Sequence, residues 1–124
     1  MNLKGYTEFN MDLDFKDRFK DSYTKILKYG EEYAEAKGQS WQMQELKGSV
    51  LSKLIKSQGE IPVSKAEING KASSEYEQYI QEVAKAITRE LSLKAKYEAE
   101  KARFEAYRSL SSLEKRTRTL IDGD

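Results

Sequence analysis

The chain has 124 residues, with no cysteine, no histidine and one proline. Without cysteine there is no disulfide framework, no thiol nucleophile and no zinc–thiolate site. Without histidine there is no imidazole base and no ordinary transition-metal site. Long apolar runs are missing too. The longest span a few residues, such as Val50-Leu51 and Leu54-Ile55, so no segment reads as a membrane span. The opening Met1-Asn2-Leu3-Lys4 carries no apolar stretch of the secretory kind, and a cytoplasmic protein is expected. Neither GxxxxGK[ST] nor GxGxxG occurs, and no Ser-His-Asp arrangement is possible. The acidic pairs Glu31-Glu32 and Asp12-x-Asp14 resemble magnesium ligands only in composition, because such pairs on a highly charged chain are ordinarily surface. Two-carboxylate hydrolysis needs a cleft, which two helices do not obviously make. The expectation is a protein that is not an enzyme and holds no cofactor and no metal.

Charge, by contrast, is abundant. Asp, Glu, Lys and Arg make up 35% of the chain, against a usual figure of about 25%. Lys and Arg number 22 and Asp and Glu 21, a net +1. Glu, Lys, Ala, Gln, Leu and Arg dominate, and these are good helix formers. Breakers cluster at Ser57-Gln58-Gly59-Glu60-Ile61-Pro62, where Gly59 suits a left-handed helix end and Pro62 prevents continuation. Asn69-Gly70 is a second soft spot. The reading is all-α: two long helices joined by a short capped helix, in a helical hairpin or bundle that assembles as an oligomer.

The first long helix is expected from about Phe15 to Ser57, with Asp14 as its N-cap. Phe15, Phe19, Tyr23, Ile26, Leu27, Tyr33, Ala34 and Trp41 recur at helical steps, as do Val50, Leu51, Leu54 and Ile55. Gly30, Gly38 and Gly48 interrupt this pattern, each costing roughly 1 kcal/mol relative to Ala. Gly38 reads as a tolerated weak point or kink, and Gly30 as either that or a close approach of another helix. A connector over 58–73 is expected to hold a short helix over 64–69, opened by the capping box Ser64-Lys65-Ala66-Glu67. Ser74-Glu75-Tyr76-Glu77 repeats the pattern and should open a second long helix, 74–116, roughly 60 Å long at 1.5 Å per residue. Residues 117–124 read as a flexible tail. In residues 1–13, an N-terminal arm, Phe9, Met11, Leu13 and Phe15 alternate with Asn10, Asp12 and Asp14, a short-strand signal. Residues 14–116 then form a single helical domain.

Wrapped at 100° per residue, the second long helix shows two apolar faces. One carries Ala84, Leu91, Ala95, Ala99, Ala102, Ala106 and Leu113. Its small residues let helix axes approach closely, so Ala95, Ala99, Ala102 and Ala106 are expected to pack on the first helix or on another copy. The other face carries Tyr79, Leu93, Tyr97, Phe104 and, at its margin, Tyr107, between two basic rows. Lys85, Arg89, Lys96 and Arg103 form one row; Lys94, Lys101, Arg108 and Lys115 form the other. From Ala84 to Arg118 ten Lys and Arg stand against five Glu, a local +5, whereas the first 35 residues carry −2. Rings flanked by cations fit single-stranded nucleic acid, bases stacking while Lys and Arg follow the phosphates. The candidate contact residues are Arg89, Lys94, Lys96, Tyr97, Lys101, Arg103, Phe104 and Arg108, with Lys115, Arg116 and Arg118 at the helix end. The competing reading makes Tyr97 and Phe104 a core seam with Lys and Arg snorkelling along its edges. Apolar character on more than one face leaves surface wet in a two-helix monomer, so a homo-oligomer is expected.

The layout is a helical N-terminal half rich in Tyr, Ala and Lys, a short turn, then a long basic-aromatic helix. Over roughly Tyr23 to Ser112 it resembles the small phage recombination-mediator proteins of the UvsY type. The stretch from Leu91 to Leu110, LSLKAKYEAEKARFEAYRSL, is also similar to phage proteins that accompany recombination genes. The resemblance implies a helical oligomer that binds single-stranded DNA and helps a recombinase load onto strands covered by a single-strand-binding protein, in the host cytoplasm. The stretch comparable to that family's DNA-contact positions reads Ser49-Val50-Leu51-Ser52-Lys53-Leu54-Ile55-Lys56 and has no Lys-x-Arg. No individual residue role is therefore carried over. Two other readings stand beside the mediator: a protein-only module, such as a phage inhibitor of a host nuclease or defence complex, and a structural virion or connector part.

Overall fold

The structure, a computed structural model, describes residues 11–122, with side chains from residue 16 onward. It is all-α, with no strand among the described residues. Helix α1 spans Met11–Glu45, α2 Lys47–Lys56, α3 Val63–Lys71 and α4 Ser74–Ile121. Two long elements, α1 and α4, are thus joined through shorter ones. No described helix is long and apolar enough to cross a membrane.

Several boundaries differ from the sequence reading, each for a local reason. Met11 to Phe15 are helical, so Asp14 lies inside α1 rather than capping it, and the strand reading fails from Met11 onward. Met11, Phe15 and Phe19 are also four apart, so this stretch satisfies helical period as well as alternation. Residues 1–10 of the expected arm lie outside the described residues. The first helix is interrupted at Leu46, not at Gly38. The interruption is slight: the Leu46 amide donates to the Gln42 carbonyl and the Val50 amide to the Leu46 carbonyl, each at 3.0 Å.

The expected cap at Ser64 does not form. Pro62 is the N-cap of α3 with no side-chain cap bond, and Glu67 pairs forward with Lys71 at 3.3 Å. Proline fixes its own φ and lacks the amide that needs a partner, which suits a helix start. The cap of α4 falls one residue early, on Ser73. Its hydroxyl accepts from the Tyr76 amide at 3.2 Å and donates to the Gly70 carbonyl at 2.7 Å. α4 continues past Arg116 to Ile121, so most of the expected tail is helical. Gly59 does take the left-handed conformation, at φ +80°.

The chain divides into two compact units. Gly30 and the residues before it, with Ala95 and those after it, form one; Glu31–Lys94 form the other. In the second unit α2 packs on α3. A Cβ built on Gly70 would meet Leu51 Cδ1 and Ile55 Cγ1, both at 3.3 Å. The helix ends at Lys71, one residue past Asn69-Gly70, and Gly70 is also where α3 approaches α2 closely. Gln58 joins the two elements by donating to the Ala66 carbonyl at 2.7 Å, and Ala66 is buried. In the same unit Tyr33, Ala36, Ser40 and Met43 of α1 turn inward. So do Tyr76, Tyr79, Val83, Ala86, Glu90 and Leu93 of α4. Steps of three and four alternate on both helices, the 3.5-residue period of a coiled-coil seam. The Tyr79 hydroxyl donates to the Met43 carbonyl, and Arg89 donates to the Gln39 side chain at 3.4 Å, so the two helices of this seam run antiparallel.

The first unit repeats the pattern. Phe19, Ser22, Ile26 and Tyr29 of α1, and Tyr97, Glu100, Phe104 and Tyr107 of α4, are buried or half-buried, again at alternating steps of three and four. Phe19 sits edge-on to Phe104 and Tyr107, with ring centroids 5.4 and 6.1 Å away.

Candidate functional site

The face of α4 singled out as basic and aromatic is the inner seam of the first unit. Tyr97 and Phe104 are half-buried there. The Tyr97 ring lies over Gly30, with Cε2 3.2 Å from where a Cβ would stand. Gly30 is thus a close-approach glycine, whereas Gly38 and Gly48 have open space. The Tyr97 ring also carries the Lys101 ammonium 4.7 Å from its centroid. Phe104 packs on Phe19. Both rings are thus half-buried against α1, which is the arrangement of the competing seam reading and leaves less ring surface for stacking bases. The competing core reading describes them.

The reason lies in area. A Phe or Tyr ring buries about 150–250 Å², far more than an Ala methyl, so the seam closes on rings rather than on small residues. Ala95, Ala99, Ala102 and Ala106 are all exposed, and the expectation that they pack on the first helix is not met. The sequence reading did not anticipate the burial of Glu100. Its side chain is buried in the seam, where it accepts from the Ser22 hydroxyl at 3.4 Å and pairs with Arg103 at 3.0 Å. A buried carboxylate needs such partners. Its seven-residue offset from Leu93 and Tyr107 was the signal available for it.

The basic residues edge the seam, and several are paired. Arg103 is held by Glu100, Arg108 lies 3.8 Å from Glu105, and Arg118 lies 2.8 Å from Glu114. Lys96, Lys115 and Arg116 are exposed and pair with no acid among the described residues. In the other unit, Lys94 is also exposed without such a partner, while Arg89 is engaged by Gln39. The pairs are mostly exposed and worth little individually, but they reduce the free positive field. On α1, Asp21 holds Lys25 above its ordinary pKa, by a hydrogen bond first and by charge second. No group of three or more acidic side chains converges to hold a metal among the described residues.

Large apolar side chains are left in water as well. In the first unit Tyr23, Leu27, Leu110, Leu113, Leu120 and Ile121 are 48–83% exposed. In the second unit Trp41, Leu46, Val63, Ile68 and Leu91 are exposed by 47% or more. No protein-family model, no curated protein and no solved structure matches the chain.

Proposed function

We propose that the protein is a non-enzymatic helical interaction module that acts by associating with other helices, first of all with copies of itself. One observation carries this reading. The helices fill their seams with rings and small residues and still leave Leu, Tyr and Trp side chains in water. Scattered single apolar residues on a surface are ordinary; a row of them along a helix is characteristic of an interface. Sedimentation equilibrium of the full chain over a wide concentration range tests it. The expected result is a mass that is a multiple of 14.3 kDa, falling on dilution. A mass of one chain at every concentration overturns it.

A second reading is favoured by the exposed cations Lys96, Lys101, Lys115 and Arg116 beside the seam of the first unit. Here the module binds single-stranded DNA through its phosphates, as a phage-type recombination mediator working with a recombinase and a single-strand-binding protein. With the rings in the seam, the binding is electrostatic. Log K against log[salt] should slope by about −0.7 per phosphate neutralised on a single strand. Fluorescence anisotropy with a labelled oligonucleotide reads that slope, and absence of binding at low salt removes the reading.

A further inference from the structure

The last helix carries a second seam. Ala95, Ala99, Ala102, Ala106, Leu113 and Leu120 follow one another at steps of three, four and seven, with Leu110 on the margin. At 100° per residue this stripe lies about 155–160° round the helix from the seam of Tyr97, Glu100, Phe104 and Tyr107. It therefore faces away from α1 in this unit. Every residue of it is exposed, Leu113 by 58% and Leu120 by 83%.

We propose that this stripe docks against the same stripe of a second copy, with the two helices antiparallel; this rests on the self-association proposed above. Two features of the face select that occupant. The first is size. The first half of the stripe, to Ala106, is made of alanines, and the second half holds the leucines. A parallel pair would set Ala on Ala and then Leu on Leu, and interaxial distances track side-chain size over about 8–10 Å. The axes would splay. An antiparallel pair sets Ala95 opposite Leu120 and Ala102 opposite Leu113, and the separation stays even.

The second feature is charge. On one flank of the stripe Glu98 and Glu105 border the alanine half and Arg116 borders the leucine half. On the other flank the order reverses: Lys96 and Arg103 come first and Glu114 follows, with Arg103 and Glu114 each also paired along their own helix, to Glu100 and Arg118. In an antiparallel pair like flanks meet, so each flank brings acid to base across a two-fold axis. Such a surface is self-complementary, as a two-fold interface requires.

The absence of cysteine makes the test direct. Ala102→Cys and Leu113→Cys are each made in the full chain, carrying tags of different size, and oxidised alone and mixed. Both positions are exposed, and unchanged helicity by circular dichroism establishes that each variant folds. The geometry demands Cα atoms about 5.5–6 Å apart for a relaxed disulfide. Antiparallel docking predicts a several-fold excess of the mixed Ala102→Cys/Leu113→Cys dimer over either variant's own dimer. Self-linking of each variant alone overturns the antiparallel order. No linking in a chain that still sediments as an oligomer places association on another face and overturns this inference alone. A monomer by sedimentation overturns both the inference and the self-association beneath it.

Discussion

The two faces of α4 in the first unit reverse the usual order. The inward face carries the hydroxyls of Tyr97 and Tyr107 and the buried carboxylate of Glu100; the outward face carries Ala95, Ala99, Ala102, Ala106, Leu113 and Leu120. Polarity by residue type therefore does not decide which face is core. Two things decide it: how much apolar area a side chain removes from water, and whether its polar atoms find partners inside. Rings satisfy the first condition. Glu100, bonded to Ser22 and Arg103, satisfies the second. No buried side-chain polar atom lacks a partner among the described residues.

Substitution separates the faces most sharply at Leu93, on the inward side in the second unit, where the side chain is 8% exposed. Leu93→Ala should lower unfolding free energy by about 2–4 kcal/mol, from lost transfer and the cavity left behind. Leu113→Ala on the outward side should change the stability of the folded chain by less than about 0.5 kcal/mol. Urea denaturation at low protein concentration measures both, and equal losses would erase the distinction. Next in size is Phe104→Ala, which removes a half-buried ring and its edge contact with Phe19. A loss of about 2 kcal/mol is expected in the same assay, below the roughly 3–5 kcal/mol of a fully buried Phe.

Glu100→Gln sharpens the comparison from the polar side. It keeps an acceptor for Ser22 but removes the charge that Arg103 meets, and should cost about 1 kcal/mol. Glu100→Leu tests whether the carboxylate stabilises the seam at all, since a hydrophobic replacement of a buried ion pair is often neutral or stabilising. The smallest effect belongs to the glycines. Gly38→Ala, in open space within a helix, should stabilise by up to about 1 kcal/mol. Gly30→Ala should gain less or lose, because its Cβ meets the Tyr97 ring at 3.2 Å. Thermal unfolding of the pair reads the difference, and an equal gain at both would deny the close approach.

Much of the fold was legible in the sequence. Helix-forming composition, the breakers from Ser57 to Pro62 and uninterrupted helical period after Ser74 led to two long helices and a short one between. Gly59 is left-handed, as its position after a helix suggested. Caps were less legible, because Ser64 and Ser74 each lie beside the true boundary and neighbouring Pro62 and Ser73 compete for the same role. The candidate site was half legible. Both faces of α4 and both basic rows were visible as sequence periodicity. Which face turned inward was not, because it depends on the partner: Gly30 leaves room for Tyr97, and Phe19 waits for Phe104. The fate of the cations was more legible, since Glu100 and Glu105 lie three residues from Arg103 and Arg108, within reach on any helix, and do take them up.

The central claim is that the rings hold the chain together and the outward leucines hold chains to one another. Sedimentation equilibrium of Leu113→Glu beside the native chain, with helicity recorded on the same samples, tests it most directly. The account predicts a native chain that self-associates and a variant of full helicity whose association is weakened by at least about tenfold, the equivalent of 1.4 kcal/mol. A variant that associates as strongly as the native chain, or one that loses its helices, would contradict it.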